Sequence, residues 1–219
     1  MLPAMPKMTL HIVNARHQLS SSLAEWLSGR LDDAFAVSAR HLPLLDTDVI
    51  LKAGKAVIYE KGHLGYAPER GLVYVTVDPE NPILRTNPSR SLERMLAHEL
   101  HHSSRWDGPG YGKTLGEALV SEGLAGHFAQ EVYGGEREPW EQLSASTLRR
   151  YVSKAQAAWE SADYDHAEWF FGSLEFPAWV GYSLGYELVR RYLATHSDHR
   201  ASNLVHANSA EFRAFLDAV

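Results

Sequence analysis

Two rhythms of apolar residues divide the chain near Asp78-Pro79. Before that point, short runs rich in β-branched and aromatic residues predict strands at Thr9–Val13, Asp48–Leu51 and Ala56–Tyr59. His63–Tyr66 leads through Ala67–Gly71 into Leu72–Val77 as a hairpin-like pair, and Ser20–Ala39 carries the spacing of an amphipathic helix. After that point the apolar positions recur every three or four residues and everything reads as helix. Strands first and helices after is an α+β pattern: a small mixed N-terminal sheet and a helical C-terminal lobe. No linker or internal repeat interrupts it, so residues 1–219 are expected to form a single domain.

One helical segment carries unusual polar residues. Leu92, Met95, Leu96 and Leu100 mark its apolar stripe, Asn87-Pro88 offers an N-cap and a first-turn proline, and Asp107-Gly108-Pro109-Gly110 stops it. Beside the stripe stands His98-Glu99-Leu100-His101-His102. Read as H-E-x-x-H, it stacks the imidazoles of His98 and His102 on one face, at a spacing that lets two nitrogens reach one zinc ion. Glu99 is then placed to deprotonate a water at the same metal. His101 also lies within helical reach of His98, but choosing it would break the relation of Glu99 to the second ligand. Its bland alternative is a partly exposed polar residue.

Two histidines need a further protein ligand, with one position left open for water. Glu117 and Glu122 compete for that place in Thr114–Ala125. Five positions apart on a helix, they diverge by roughly 140° and cannot serve one ion together. Thr114-x-x-Glu117 has the form of a capping box, which gives Glu117 a structural task. Glu122 falls in line with Leu115, Ala118, Leu119 and Ala129, where a carboxylate is costly unless something positive meets it. Glu122 is therefore the favoured third ligand. Gly123 beside it is expected to let this helix approach the H-E-x-x-H helix closely.

This arrangement resembles the gluzincin metallopeptidases, with the glutamate about 19 residues after the motif. More closely, Leu96–His102, Glu117–Ala125 and Gly181–Tyr186 resemble DUF2268, a family of zinc-dependent bacterial proteases. The resemblance implies a zincin-like (minigluzincin) fold with the H-E-x-x-H helix between sheet and helical lobe. It implies zinc held by His98, His102 and Glu122, with Glu99 as general base. Gluzincins generally add a Tyr or His from a later helix to steady the oxyanion. Tyr182 and Tyr186 share one face of the helix expected to open near Pro177, and the Gly-Tyr block favours Tyr182. Core packing of both tyrosines is the alternative. Trp169, Phe170, Phe171, Phe176 and Trp179 read as lobe core, with a specificity pocket as the alternative. An edge strand within about Gly62–Gly71 is expected to border the cleft and pair with substrate backbone.

Composition narrows the rest. A net charge of -6 without a basic cluster argues against nucleic acid, and the chain has no cysteine to supply thiolate ligands. Met1–Arg16 has no apolar run of signal-peptide length and no segment approaches a membrane span, so the cytoplasm is the default compartment. Two motifs are decoys. Gly108–Thr114 imitates a phosphate loop but has Asp107 where the first glycine belongs, so it reads as a helix-to-helix connection. Glu60-x-x-His63 would pair with Glu99-x-x-His102 in a di-iron bundle, but Gly62 argues against a helix there. The expected function is a zinc peptidase acting on peptide or protein substrates. The rivals are a non-catalytic peptide-binding module and a zinc hydrolase of other substrates.

Overall fold

The computed structural model describes residues 5–219; residues 1–4, the first part of the Met1–Arg16 stretch expected to lack an apolar run of signal-peptide length, lie outside them. Two compact units account for the chain, residues 1–107 and 108–219. The first holds β1 (Met8–Val13), α1 (Ser21–Ser38), β2 (Thr47–Ala53), β3 (His63–Glu69), β4 (Leu72–Val77), α2 (Pro82–Thr86) and α3 (Ser91–Arg105). Its sheet runs β1-β2-β4-β3, with β1, β2 and β4 parallel and β3 antiparallel to β4. A parallel pair cannot be closed by a hairpin, so α1 makes the crossover from β1 to β2. Leu23, Leu27, Leu31, Ala34 and Phe35 form the buried stripe of α1. Val49, Leu51, Val73, Val75 and Val77 are fully buried in the central strands. α3 packs on β3 and β4 and against α1.

The α+β class and the small mixed sheet are as the pattern predicts; several local expectations are corrected. Ala56–Tyr59 is not a strand: only Ile58 bridges to His63, and the amides of Lys61 and Gly62 return to the Ile58 carbonyl in a turn. Gly62 takes φ +75°, which closes that turn instead of extending a ladder. The second correction is at the start of α3. Asn87 ends α2 in a left-handed conformation and opens a 3-10 turn, Pro88–Arg90, with Pro88 in its first turn; the α-helix α3 begins only at Ser91. Asn87 still caps α3, from further away: its Oδ1 accepts from the Leu92 amide at 2.9 Å and its Nδ2 donates to buried Glu93 at 2.7 Å.

The second unit is helical: α4 (Leu115–Tyr133), α5 (Ala145–Ala158), α6 (His166–Phe171) and α7 (Val180–Thr195), followed by 3-10 turns at Ser209–Glu211 and Arg213–Ala218. α4 and α7 pack backbone to backbone. A Cβ on Gly123 would fall 2.2 Å from the Gly185 carbonyl oxygen, and one on Gly185 would fall 2.2 Å from the Leu119 carbonyl oxygen. Gly123 thus serves the approach of α4 to α7, a correction to its expected use against the H-E-x-x-H helix. Pro177 also lies outside α7, whose N-cap is Trp179 at φ +75°. Among the described residues no helix is long and apolar enough to cross a membrane.

Candidate metal centre

α3 carries the histidine pair. Its i,i+4 spacing brings His98 Nε2 and His102 Nε2 to 3.0 Å, both aimed at one point. Two nitrogens on a tetrahedral zinc at ~2.05 Å would stand about 3.4 Å apart, so little adjustment is needed. His102 is buried and His98 half-buried. His101 is fully buried, not partly exposed.

Glu99 faces β3. A Cβ on Gly65 would sit 2.4 Å from Glu99 Cγ and 2.4 Å from Met95 Sδ, so any larger residue there would push these two side chains aside. β3 is an edge strand, within the span expected to form one. The Gly62 carbonyl accepts from the Asp78 amide, which turns the backbone groups of Leu64 and Tyr66 toward β4 and those of His63, Gly65 and Ala67 toward the open edge. There the His63 carbonyl accepts from the Ile58 amide, and the Ala67 carbonyl from the Trp106 indole at 3.1 Å. Gly65 lies between these two anchors, directly over Glu99.

α4 carries both competing glutamates and separates their roles. Glu117 is engaged in the capping box: it accepts from the amides of Lys113 and Thr114 at 2.7 and 3.0 Å, while Thr114 Oγ1 accepts from the Glu117 amide. Glu122 is buried and accepts from the Tyr111 hydroxyl at 2.7 Å. Among the described residues, His98, His102 and Glu122 form a group that could hold a metal ion, their ligand atoms lying within 4.8 Å of one another. Two imidazoles and a carboxylate suit zinc, and the chain has no cysteine to offer a thiolate instead.

Around Glu122 the second unit gathers residues that the linear pattern did not mark. Burial and the neighbouring Glu122 carboxylate push the Tyr111 hydroxyl well above the usual phenol range, with Tyr182 adding to the effect. The Tyr111 ring meets His166 edge-on at 5.9 Å, and His166 Nδ1 is 3.2 Å from the Tyr164 hydroxyl. Burial lowers the pKa of His166, against an opposing pull from Glu122. Tyr182 is half-buried and packs edge-on against Phe170. Tyr186 is occupied elsewhere: its ring stacks on His127 at 3.9 Å and its hydroxyl donates to Gln130. Of the two tyrosines, Tyr182 is therefore the one beside the Glu122 cluster. The aromatic run divides, with Trp169, Phe170 and Phe176 in the core and Phe171 and Trp179 exposed.

A family model described as "Predicted Zn-dependent protease (DUF2268)" matches residues 28–214. The chain belongs to the DUF2268 family. It is also 26% identical over 153 residues to the uncharacterized protein YjfC of Bacillus subtilis (strain 168), a match covering 63% of this chain and 50% of YjfC. The chain thus spans about half the length of that curated relative. For this DUF2268 member, the family description and the His98/His102/Glu122 group both point to zinc.

Proposed function

We propose that this DUF2268 chain is a zinc-dependent peptidase of gluzincin type, its residues forming a single zincin-like peptidase domain. The observation that carries the reading is the convergence of His98, His102 and Glu122 with Glu99 between the two histidines. Zinc held by these three would supply a Lewis acid and a water acidic enough to ionise near neutral pH. The Glu99 carboxylate takes the proton of the attacking water and returns it to the leaving nitrogen. The Tyr182 hydroxyl donates to the oxygen that gains charge as the carbonyl is attacked. A peptide substrate is supported by the open edge of β3. The N–H and C=O of Gly65 face outward over Glu99, where they can pair with one extended residue of a substrate.

The test is zinc per chain by elemental mass spectrometry, followed by a peptide-library digest. The expected result is about one zinc in the parent and in Glu117→Ala, with strong loss in Glu122→Ala. Peptide cleavage should stop on chelation and return with zinc. A parent that takes up no metal when zinc is added back, or a zinc-loaded parent that cleaves no peptide, overturns the reading.

A further inference from the structure

The segment Gly110-Tyr111-Gly112-Lys113-Thr114 belongs to the stretch that imitates a phosphate loop in sequence. Its geometry serves another end. Gly110 and Gly112 flank Tyr111 at φ +79° and +117°, conformations that L side chains rarely adopt. A Cβ on Gly112 would fall 2.3 Å from Glu117 Cβ, so the loop lies tight against the first turn of α4. Glu117 fastens it there through the amides of Lys113 and Thr114. Held this way, Tyr111 delivers its hydroxyl to Glu122 Oε1, further along the same helix. The edge of the His166 ring supports its ring from the side.

We propose that Tyr111 is a positioning residue for Glu122, its hydroxyl fixing the carboxylate in the orientation that binds zinc. The inference rests on the metal reading above. A carboxylate on a free side chain samples several rotamers, and ordering it costs part of the binding free energy. A hydrogen bond to one oxygen removes that freedom and leaves the other oxygen for the ion. The two glutamates then divide the work: Glu117 holds the loop, and the loop holds Glu122.

The experiment measures zinc affinity of the purified protein by competition with a chromophoric chelator, for the parent, Tyr111→Phe and Tyr164→Phe. Tyr111→Phe removes one oxygen and keeps the ring, so the fold is preserved, as a thermal melt checks. Its zinc affinity should fall about 10- to 100-fold, the usual effect of losing an outer-shell partner. The visible absorption of the cobalt-substituted protein should change with it. Tyr164→Phe, whose hydroxyl lies 3.2 Å from His166 Nδ1, should stay within about twofold of the parent. Unchanged affinity and cobalt spectrum in Tyr111→Phe, beside a parent that binds zinc, overturn this proposal and leave the peptidase reading standing. A parent that binds no zinc overturns both.

Discussion

The two units position their candidate site residues in different ways. Residues 1–107 supply two nitrogens and a carboxylate from five consecutive positions of one helix, so their relative placement follows from helical geometry alone. Residues 108–219 supply Glu122 from α4, Tyr111 from the loop before it, His166 from α6 and Tyr182 from α7. Their placement follows from packing, above all from the glycine contact between α4 and α7. The first arrangement is robust to small shifts in tertiary structure; the second is only as good as the contacts that hold it.

The largest expected effect falls on the local half. Glu99→Gln keeps the size of the side chain and removes its basicity, so peptide turnover should drop by at least about 100-fold while zinc content stays at the parent level. A variant that loses zinc as well would make Glu99 part of the metal site and not a separate base. A variant that cleaves peptides at the parental rate would remove it from the chemistry altogether.

Legibility in the sequence follows the same division. H-E-x-x-H and the capping box Thr114-x-x-Glu117 are readable because each is a local periodic pattern whose geometry is set within one turn of helix. Elimination then leaves Glu122. Tyr111 is not readable in this way, since no spacing rule connects a loop hydroxyl to a carboxylate eleven residues on; the paired glycines around it were the only sign. Ala56–Tyr59 misleads because its β-branched residues look like a strand while Gly62 folds the segment back on itself. Asn87-Pro88 misleads by being right about the cap and wrong about the start. The side chain reaches five residues forward over a stretch in which Asn87, Ser89 and Arg90 all take positive φ.

Each unit also encloses a histidine, His63 buried and His127 half-buried, and acid should act on both. His63 is held to a pKa of about 3, first by burial and then by Lys61; its Nε2 lies 2.9 Å from Ser91 Oγ. His127 is held to about 4 by burial, although its bond to the Tyr186 carbonyl works the other way. Unfolded histidines titrate near 6.5, so between that pH and the folded values the unfolded chain binds more protons. Stability is then full above about pH 6.5 and falls as pH drops, toward about 4 for His127 and about 3 for His63. The combined loss by pH 4 should be on the order of a few kcal/mol. Urea unfolding of the metal-free protein at pH 7.5, 5.5 and 4.5 should show it, with a shallower decline in His63→Gln and in His127→Gln. Equal slopes in parent and variants would mean that other groups carry the acid sensitivity.

Glycine-to-alanine changes separate the two kinds of contact more finely. At Gly185 the added methyl meets the Leu119 backbone, which cannot move without displacing α4. The gain in helix propensity, at most about 1 kcal/mol, does not offset overpacking of about 3 kcal/mol. At Gly65 the methyl meets the side chains of Glu99 and Met95, which can turn aside. Gly65→Ala should therefore cost only about 1 kcal/mol in stability. Displacing Glu99 from its working position should still lower activity by about tenfold or more. Melting temperature and turnover, measured on both variants, should move in opposite order. If Gly65→Ala melts as early as Gly185→Ala, β3 is not backed by yielding side chains and the contrast fails.

The smallest effects lie at the helix starts. Thr114→Ala removes a single hydroxyl acceptor from the first turn of α4, and the Glu117 half of the box remains, so about 1 kcal/mol should be lost. Asn87→Ala removes more. It strips the Leu92 amide of its acceptor, takes a donor from buried Glu93 and puts alanine at φ +42°. Asparagine tolerates that left-handed conformation better than alanine does, so a loss nearer 2 kcal/mol is expected. Denaturant melts of the two variants should rank them in that order. Equal costs would mean that Arg30, which also reaches Glu93 at 3.3 Å, holds the start of α3 without help from Asn87. The ranking thus tests whether the helix that carries the histidines is anchored by the residue that the sequence marked as its cap.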